Sequence, residues 1–234
     1  MYFTLFVCVT LVALSSAQDA TAKPKAKKSP PSNHTVTDEV EMTFEIKNFD
    51  GQGEDYQGTI TIGLFGETAP MTVLNFKGIC QGFKRGGSRE KKLHYKNTYC
   101  HRLVKDMLVQ CGDVTTGDGT GSRSIYGDRF NDENFIISHE SAGIVSMANH
   151  GSDTNGSQFF ISFTRCRYLD GRHVAFGKIV KGMDVIEQMN DMGPDHSGAA
   201  PRHAIKLTEC EIKQVEPYQL SRKFMQSDDP NNEL

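Results

Sequence analysis

Three groups of residues have the types that nucleophilic, phosphate or metal chemistry requires. Cys100 is followed by His101, but neighbours on a strand point to opposite faces, so the pair does not form a nucleophile and its base. The glycine-rich run 117–121 lacks the Gly-Lys-Ser/Thr ending of a phosphate loop and favours a turn-rich loop. The eight histidines show no metal-ligand spacing. We therefore expect no metal and no cofactor.

What remains is a series of ordered motifs in two stretches of the chain. Residues 100–113 read CHRLVKDMLVQCGD, and residues 142–173 contain SMAN, TNGSQFFI and YLDGRH in that order. Taken singly, Arg102 would be read as a surface charge and Phe160 as a core residue. Only the joint order of the motifs indicates a site.

Length and charge limit the classes of protein that the chain can belong to. Its 234 residues are enough for one domain with tails, and 22 glycines between short apolar runs indicate many turns. The net charge of −3 argues against a protein that binds nucleic acid electrostatically. Residues 18–37 carry four lysines and one aspartate, which we interpret as a basic, solvated Lys/Pro linker. Glycosaminoglycan binding through these lysines is the alternative.

The N-terminus has the features of a secretory signal. An apolar run over residues 2–14 is too short to span a bilayer and ends in Ser-Ser-Ala, so we predict a signal peptide over residues 1–17. No later run predicts a membrane helix. The sequon at Asn33 is the candidate glycosylation site, and Asn231–Leu234 shares only its last two letters with a lumen-retention signal. We expect a protein that is secreted or resident in the endoplasmic reticulum lumen, with secretion favoured.

Hydrophobic periodicity predicts mostly strands. Residues 40–47 alternate strictly between apolar and polar side chains, and residues 60–64 and 205–212 also read as strands. Thr68 and Pro70 open a predicted helix as N-cap and first-turn residue, and 183–189 reads as a second helix. We expect one domain over residues 38–216, followed by an irregular C-terminal tail over 217–234. Many strands with two helices predict an all-β, closed antiparallel barrel.

These motifs resemble the signature of the cyclophilins, the prolyl isomerases that bind cyclosporin, over residues 39–212. The resemblance implies a closed eight-stranded barrel capped by α-helices, with substrate bound on its outer face. It also implies a monomer that binds proline-containing peptides and unfolded proteins and accelerates X-Pro rotation. The loop 84–92 looks like that of divergent-loop cyclophilins, and the chain looks most like the cyclophilin B branch.

The resemblance also implies a role for each site residue. Arg102 would donate a hydrogen bond to the prolyl nitrogen, Gln110 would orient Arg102, and His101 would buttress it. Asn149 would hold the peptide backbone through its main chain. The remaining substrate-binding positions would be Met107, Leu108, Ala148, Gln158, Phe160, Tyr168, Leu169 and His173.

The chain departs from the family pattern at several of these positions. Met107 stands where the family has its main pocket phenylalanine, and Met is more flexible. Tyr168 replaces the tryptophan of cyclosporin-sensitive members, so we expect weak cyclosporin binding. Cys111 replaces a glycine, and His150 replaces a small residue near a subsidiary pocket. Isomerase activity is therefore expected to be reduced, and the alternative is a secreted binding module with little or no activity.

Five cysteines remain once the signal peptide is removed. Divergent-loop cyclophilins have a cysteine pair at places that match Cys80 and Cys210, so the resemblance implies a disulfide there. Cys100 would share a face with Arg102, whereas Cys111 would oppose the face of Gln110. We therefore expect Cys100 and Cys111 to remain unpaired.

Overall fold

The structure is a computed structural model that describes residues 34–86, 91–194 and 199–228. The predicted signal peptide, the linker up to residue 33, the sequon at Asn33 and the last six residues lie outside the described residues. The same holds for residues 87–90 of the charged loop. No helix within the described ranges is long and apolar enough to cross a membrane.

The first two strands follow the alternation of the sequence. Strand β1 (His34–Ile46) buries Val40, Met42 and Phe44 completely, while the polar residues between them stay partly exposed. It pairs antiparallel with β2 (Tyr56–Leu64). Because side chains alternate along a strand, this pattern turns one face to the core and the other to solvent. β1 begins at His34, so the basic segment expected over 18–37 ends in a strand.

All nine strands of the described chain belong to one curled antiparallel sheet, in the order β3-β9-β1-β2-β8-β6-β7-β5-β4. The remaining strands are β3 (Thr98–Tyr99), β4 (Arg102–Val104), β5 (Leu108–Cys111), β6 (Ile144–Met147), β7 (Phe159–Ser162), β8 (Ala175–Lys181) and β9 (Ile205–Leu220). The two edge strands, β3 and β4, are separated only by Cys100 and His101. This one segment pairs with β9 through β3 and with β5 through β4. The described ranges thus form a curled sheet of nine strands, and its closure into the expected eight-stranded barrel stays a prediction.

Helix α1 (Pro70–Gln81) packs Val73, Phe76 and Ile79 into the core of the sheet. Its N-cap is Ala69 rather than Thr68, and its first amides are instead capped from a distance. The Glu133 carboxylate accepts hydrogen bonds from the backbone amides of Met71 and Thr72, each at 2.9 Å. A carboxylate at this position satisfies free amides and complements the helix dipole.

The described part of the chain contains three α-helices, whereas the sequence predicted two. Helix α2 (Met183–Asp191) buries Ile186 and Met189 as the sequence predicted. A short third helix, α3 (Arg222–Met225), follows β9, which continues to Leu220. Residues 218–228 therefore differ from the irregular tail that we expected, because Phe224 and Met225 are buried against the sheet.

We call the packing of α3 and Asp228 against the sheet the C-terminal clasp. Phe224 and Met225 are buried in a cluster with Val36 and Phe65. Beside them, the buried Lys178 donates to Ser141 Oγ at 2.7 Å and to the Ala142 carbonyl at 2.9 Å. The clasp thus joins the end of the chain to β1, to β8 and to the segment before β6.

Two disulfides occur among the described cysteines. Cys80 of α1 is bonded to Cys210 of β9, as the resemblance implied. Cys100 is bonded to Cys111, so the expectation that they stay unpaired is wrong. That expectation assumed a regular strand through residues 100–102, but β3 ends at Tyr99 and β4 begins at Arg102. The alternation breaks between them, and Cys100 turns into the core.

Candidate active site

A groove of about 600 Å³ lies where β4, β5 and β7 meet the loops that follow β5 and β6. The ladder pairs Arg102 with Gln110, and Gln110 with Phe160, so these three side chains lie side by side on adjacent strands. The groove is lined by ten of the predicted positions, His101, Arg102, Met107, Leu108, Gln110, Ala148, Asn149, Phe160, Leu169 and His173. Four further positions, Asp118, Gly119, Thr120 and His150, complete the lining.

A chain of amide hydrogen bonds holds Arg102. Its Nη1 donates to Gln110 Oε1 at 3.3 Å, and Gln110 Nε2 donates to Gln158 Oε1 at 2.7 Å. Gln158 Nε2 in turn donates to the carbonyls of Gly119 at 2.9 Å and Gly121 at 2.6 Å. Gln158 is therefore buried behind the groove and contacts Gln110, rather than lining the groove itself. Within the described ranges no carboxylate forms an ion pair with Arg102, so its charge is not neutralised locally.

The buried Asp113 shapes the loop that Gln158 contacts. Its carboxylate accepts hydrogen bonds from Thr116 Oγ1 at 2.7 Å, from the Gly119 amide at 2.8 Å and from the Gly121 amide at 3.1 Å. Burial alone would raise the pKa of Asp113, but hydrogen bonds from Thr116 and Thr115 outweigh it and hold the pKa well below its usual range. Asp113 was named only as the end of a motif, because its role depends on loop contacts that spacing does not reveal.

His101 packs between Arg102 and this loop. Gly119 has φ of +92°, and a Cβ atom there would lie 2.4 Å from His101 Cδ2. Glycine is thus required both for the backbone conformation and for the close approach of the ring. Burial lowers the pKa of His101, which keeps the ring neutral near pH 7. The role of buttress that the resemblance implies for His101 stays a prediction.

The apolar half of the groove is built on Phe160. Leu108 and Phe160 are buried together, with Met107, Ala148 and Leu169 packed against them. Behind it, the buried His139 stacks on the Phe160 ring with centroids 5.7 Å apart and an interplanar angle of 19°. His139 was not predicted, and no spacing in the sequence singles it out. At the rim, His173 meets the Phe160 ring edge-on at 5.4 Å and pairs with the Met147 carbonyl.

Two predicted positions do not line the groove. Tyr168 lies in a short 3₁₀-helix (Arg167–Leu169) and is 58% exposed, whereas its neighbour Leu169 faces the pocket. Gln158 lies behind Gln110, as described above. The Asn149 side chain donates to the Arg172 carbonyl at 2.8 Å, and this contact connects the two loops on either side of the apolar pocket.

Comparisons with known proteins agree with this arrangement. The family model for cyclophilin-type peptidyl-prolyl cis-trans isomerases (described as Cyclophilin type peptidyl-prolyl cis-trans isomerase/CLD) matches residues 44–212. The chain therefore belongs to this family, and the expectation of a peptidyl-prolyl isomerase is confirmed. Among its relatives is "Peptidyl-prolyl cis-trans isomerase CYP21-1" from Arabidopsis thaliana, which is 43% identical over 177 residues and covers 76% of each chain.

Proposed function

We propose that the groove accelerates X-Pro rotation in polypeptide clients through Arg102, which donates a hydrogen bond to the prolyl nitrogen as the amide twists. The observation that carries this proposal is the position of Arg102, a cation beside an apolar pocket with Gln110 as its side-chain partner. Donors of the guanidinium that Gln110 does not use are available to a bound peptide.

The reaction needs nothing more than this arrangement. Amide resonance holds the peptide bond planar with a barrier of about 18–20 kcal/mol. At the twisted transition state the nitrogen lone pair, which resonance delocalises in the planar amide, becomes localised on the nitrogen and can accept a hydrogen bond. A fixed donor at that point stabilises the transition state and not the ground state, which is the condition for catalysis. No nucleophile enters this scheme.

The apolar half of the groove would bind the proline ring. Phe160 and Leu108 offer a surface that is rigid because it is buried, while Met107 is half-buried and can adapt its shape. Asn149 would bind the peptide main chain beside this pocket. The flexible Met107 supports a reduced rate rather than an absent one, because Arg102 and Gln110 remain hydrogen-bonded beside it.

The proposed setting is the secretory pathway, with the mature protein secreted or lumenal. Two disulfides in the described chain support it, since such bonds persist in oxidising compartments. Weak cyclosporin binding, a glycan at Asn33 and a glycosaminoglycan contact through the lysines of residues 18–37 remain predictions. The finer likeness to the cyclophilin B branch and to the divergent loop also remains a prediction.

The test is prolyl isomerisation of a short X-Pro peptide by the mature protein. We expect Arg102→Ala to lower kcat by about 100- to 1,000-fold, the usual cost of one transition-state donor. Arg165→Ala, at an exposed arginine outside the groove lining, is the matched control and should leave the rate unchanged. Equal rates in wild type and Arg102→Ala would refute the proposed role. A folded wild type without turnover would favour the binding module instead.

A further inference from the structure

The Cys100–Cys111 disulfide lies immediately beside the residues proposed to do the chemistry. Cys100 comes two residues before Arg102, and Cys111 directly follows Gln110. Arg102 and Gln110 form the last ladder pair of β4 and β5 at this end. The disulfide therefore links β5 to the residues before β4, directly next to the Arg102–Gln110 pair that forms the polar half of the groove.

Strand β4 buries Leu103 and Val104 but has few backbone partners. It is an edge strand of three residues, and three ladder pairs join it to β5. On the edge of β4 that faces away from β5, the Leu103 amide donates a hydrogen bond to the Ala199 carbonyl at 2.9 Å. Before it, residues 100 and 101 have no regular strand conformation. Short strands at a sheet edge open more easily than central ones, because fewer contacts must break.

The disulfide also joins two neighbouring parts of the curled sheet. The Cys100 amide donates to the Ile205 carbonyl of β9 at 2.9 Å, so Cys100 continues the pairing of β3 with β9. Cys111 lies on β5 and pairs with Phe159 of β7. The bond thus fixes the short segment between β3 and β4 against β5. Arg102 is the first residue of β4 after this segment.

We propose that the Cys100–Cys111 disulfide positions Arg102 for catalysis, so that the turnover of the folded enzyme depends on this bond. The inference rests on the function proposed above for Arg102. Arg102 is held laterally by one long hydrogen bond, to Gln110 at 3.3 Å, so its location depends on the backbone that carries it. A displacement of a catalytic donor by about 1 Å can cost up to about 100-fold in rate.

Loss of the bond has a defined chemistry. A dithiol reductant gives two electrons and two protons to the sulfurs, which become two cysteine thiols, and the reductant leaves as its own disulfide. Both cysteines are buried, with 3% and 0% of their surface exposed, so reduction requires local opening around β4. We therefore expect the bond to be slow to reduce in the folded protein, and activity to fall as it is lost.

The experiment compares Cys100→Ala/Cys111→Ala with a matched control, Cys80→Ala/Cys210→Ala, which removes the other disulfide. We expect kcat to fall by about tenfold in the first variant, with KM changed less than twofold, because the donor moves while the apolar pocket remains. The control should retain kcat. In an Arg102→Ala background the same double substitution should have no further effect, since no donor is left to misplace. Isomerisation is measured by NMR exchange.

A second arm covers poor folding of the double variant. The Cys80→Ala/Cys210→Ala protein is treated with dithiothreitol, and the rate is followed against the number of free thiols, without a coupled protease that the reductant would inactivate. We expect kcat to fall in step with the thiols of Cys100 and Cys111, at constant far-UV circular dichroism. Full kcat in the protein without the bond would overturn the inference. It would also be overturned if loss of the bond lowered kcat by the same factor in the wild-type and Arg102→Ala backgrounds. Unchanged turnover in Arg102→Ala would instead overturn the proposed function.

Discussion

Arg102 in the groove and Lys178 in the C-terminal clasp are two cations in opposite situations. Arg102 is half-buried and has Gln110 as its side-chain partner. Lys178 is 3% exposed, donates to Ser141 and the Ala142 carbonyl, and lies 5.4 Å from the centre of the Phe224 ring. The ammonium of Lys178 donates its hydrogen bonds within the protein and so stabilises the fold. The guanidinium of Arg102 has further N–H groups beside the pocket, where a bound peptide could accept from them.

The largest effect that separates the two regions is expected from Phe224→Ala. Phe224 is buried in the cluster that joins α3 to β1, and loss of a buried phenylalanine costs about 3–5 kcal/mol of unfolding free energy. Denaturant unfolding measures this loss, and Lys223→Ala on the exposed side of α3 is the control. Turnover of the remaining folded protein should change less than twofold. A large loss of kcat would show that clasp and groove are not independent.

The next effect concerns Lys178 and pH. Burial lowers the pKa of Lys178 from 10.5 to about 8, which makes its charge in the folded state cost about 3 kcal/mol. Below pH 8 both states are protonated and this cost is fully present. Between pH 8 and 10.5 the unfolded state binds more protons, so the free energy of unfolding rises with pH.

Lys178→Met removes this titration. We expect the wild type to gain stability relative to the variant as pH increases from 8 to 10, as measured by urea unfolding. Tyrosine titration is common to both proteins and cancels in the difference. Lys181→Met, at an exposed lysine of the same strand, should follow the wild-type curve. If the unfolding free energies of wild type and Lys178→Met changed with pH in parallel, the lowered pKa of Lys178 would be contradicted.

The smallest effect concerns Tyr168, which is exposed and lies outside the groove lining. Tyr168 lacks the indole N–H that the family resemblance assigns to cyclosporin binding, and one hydrogen bond contributes about 1 kcal/mol. Tyr168→Trp should therefore tighten cyclosporin binding by about fivefold to tenfold, as measured by calorimetry, with prolyl isomerisation unchanged. Tyr168→Phe alters the same ring without adding an N–H and should remain weak. Equal cyclosporin affinities of wild type, Tyr168→Trp and Tyr168→Phe would show that the residue at position 168 does not determine drug affinity.

Sequence patterns predicted the strands and helices that depend only on residues close to one another in the sequence. The alternation of Val40, Met42 and Phe44 identified β1, and the helical spacing of Val73, Phe76 and Ile79 identified α1. These patterns are reliable because one face of each element packs on the core and the other meets solvent. Ten predicted positions line the groove because the motifs that carry them fall on β4, β5, β7 and the adjacent loops.

Features that depend on distant contacts could not be predicted. The cap of α1 comes from Glu133, which is separated from Thr72 by 61 positions. Helix α3 has only two apolar residues, Phe224 and Met225, and the segment around them is polar. The sequence therefore shows no periodicity there, and the two residues are buried only because the fold brings Val36 of β1 next to them. The pairing of Cys100 with Cys111 required a break in β3–β4 that strand alternation alone does not reveal.

The pairing of β1 with β9 determines when the domain can form during synthesis. Gln219 of β9 donates a hydrogen bond to Thr35 of β1 at 2.6 Å, across a separation of 184 positions. Ribosomes add about 5–20 residues per second, so β1 waits roughly 10–40 seconds for its partner strand to be made. The edge of β1 that β9 will cover stays unpaired throughout that time, and an unpaired edge invites association with other chains. We therefore expect the nascent chain to need protection at this edge until β9 has emerged.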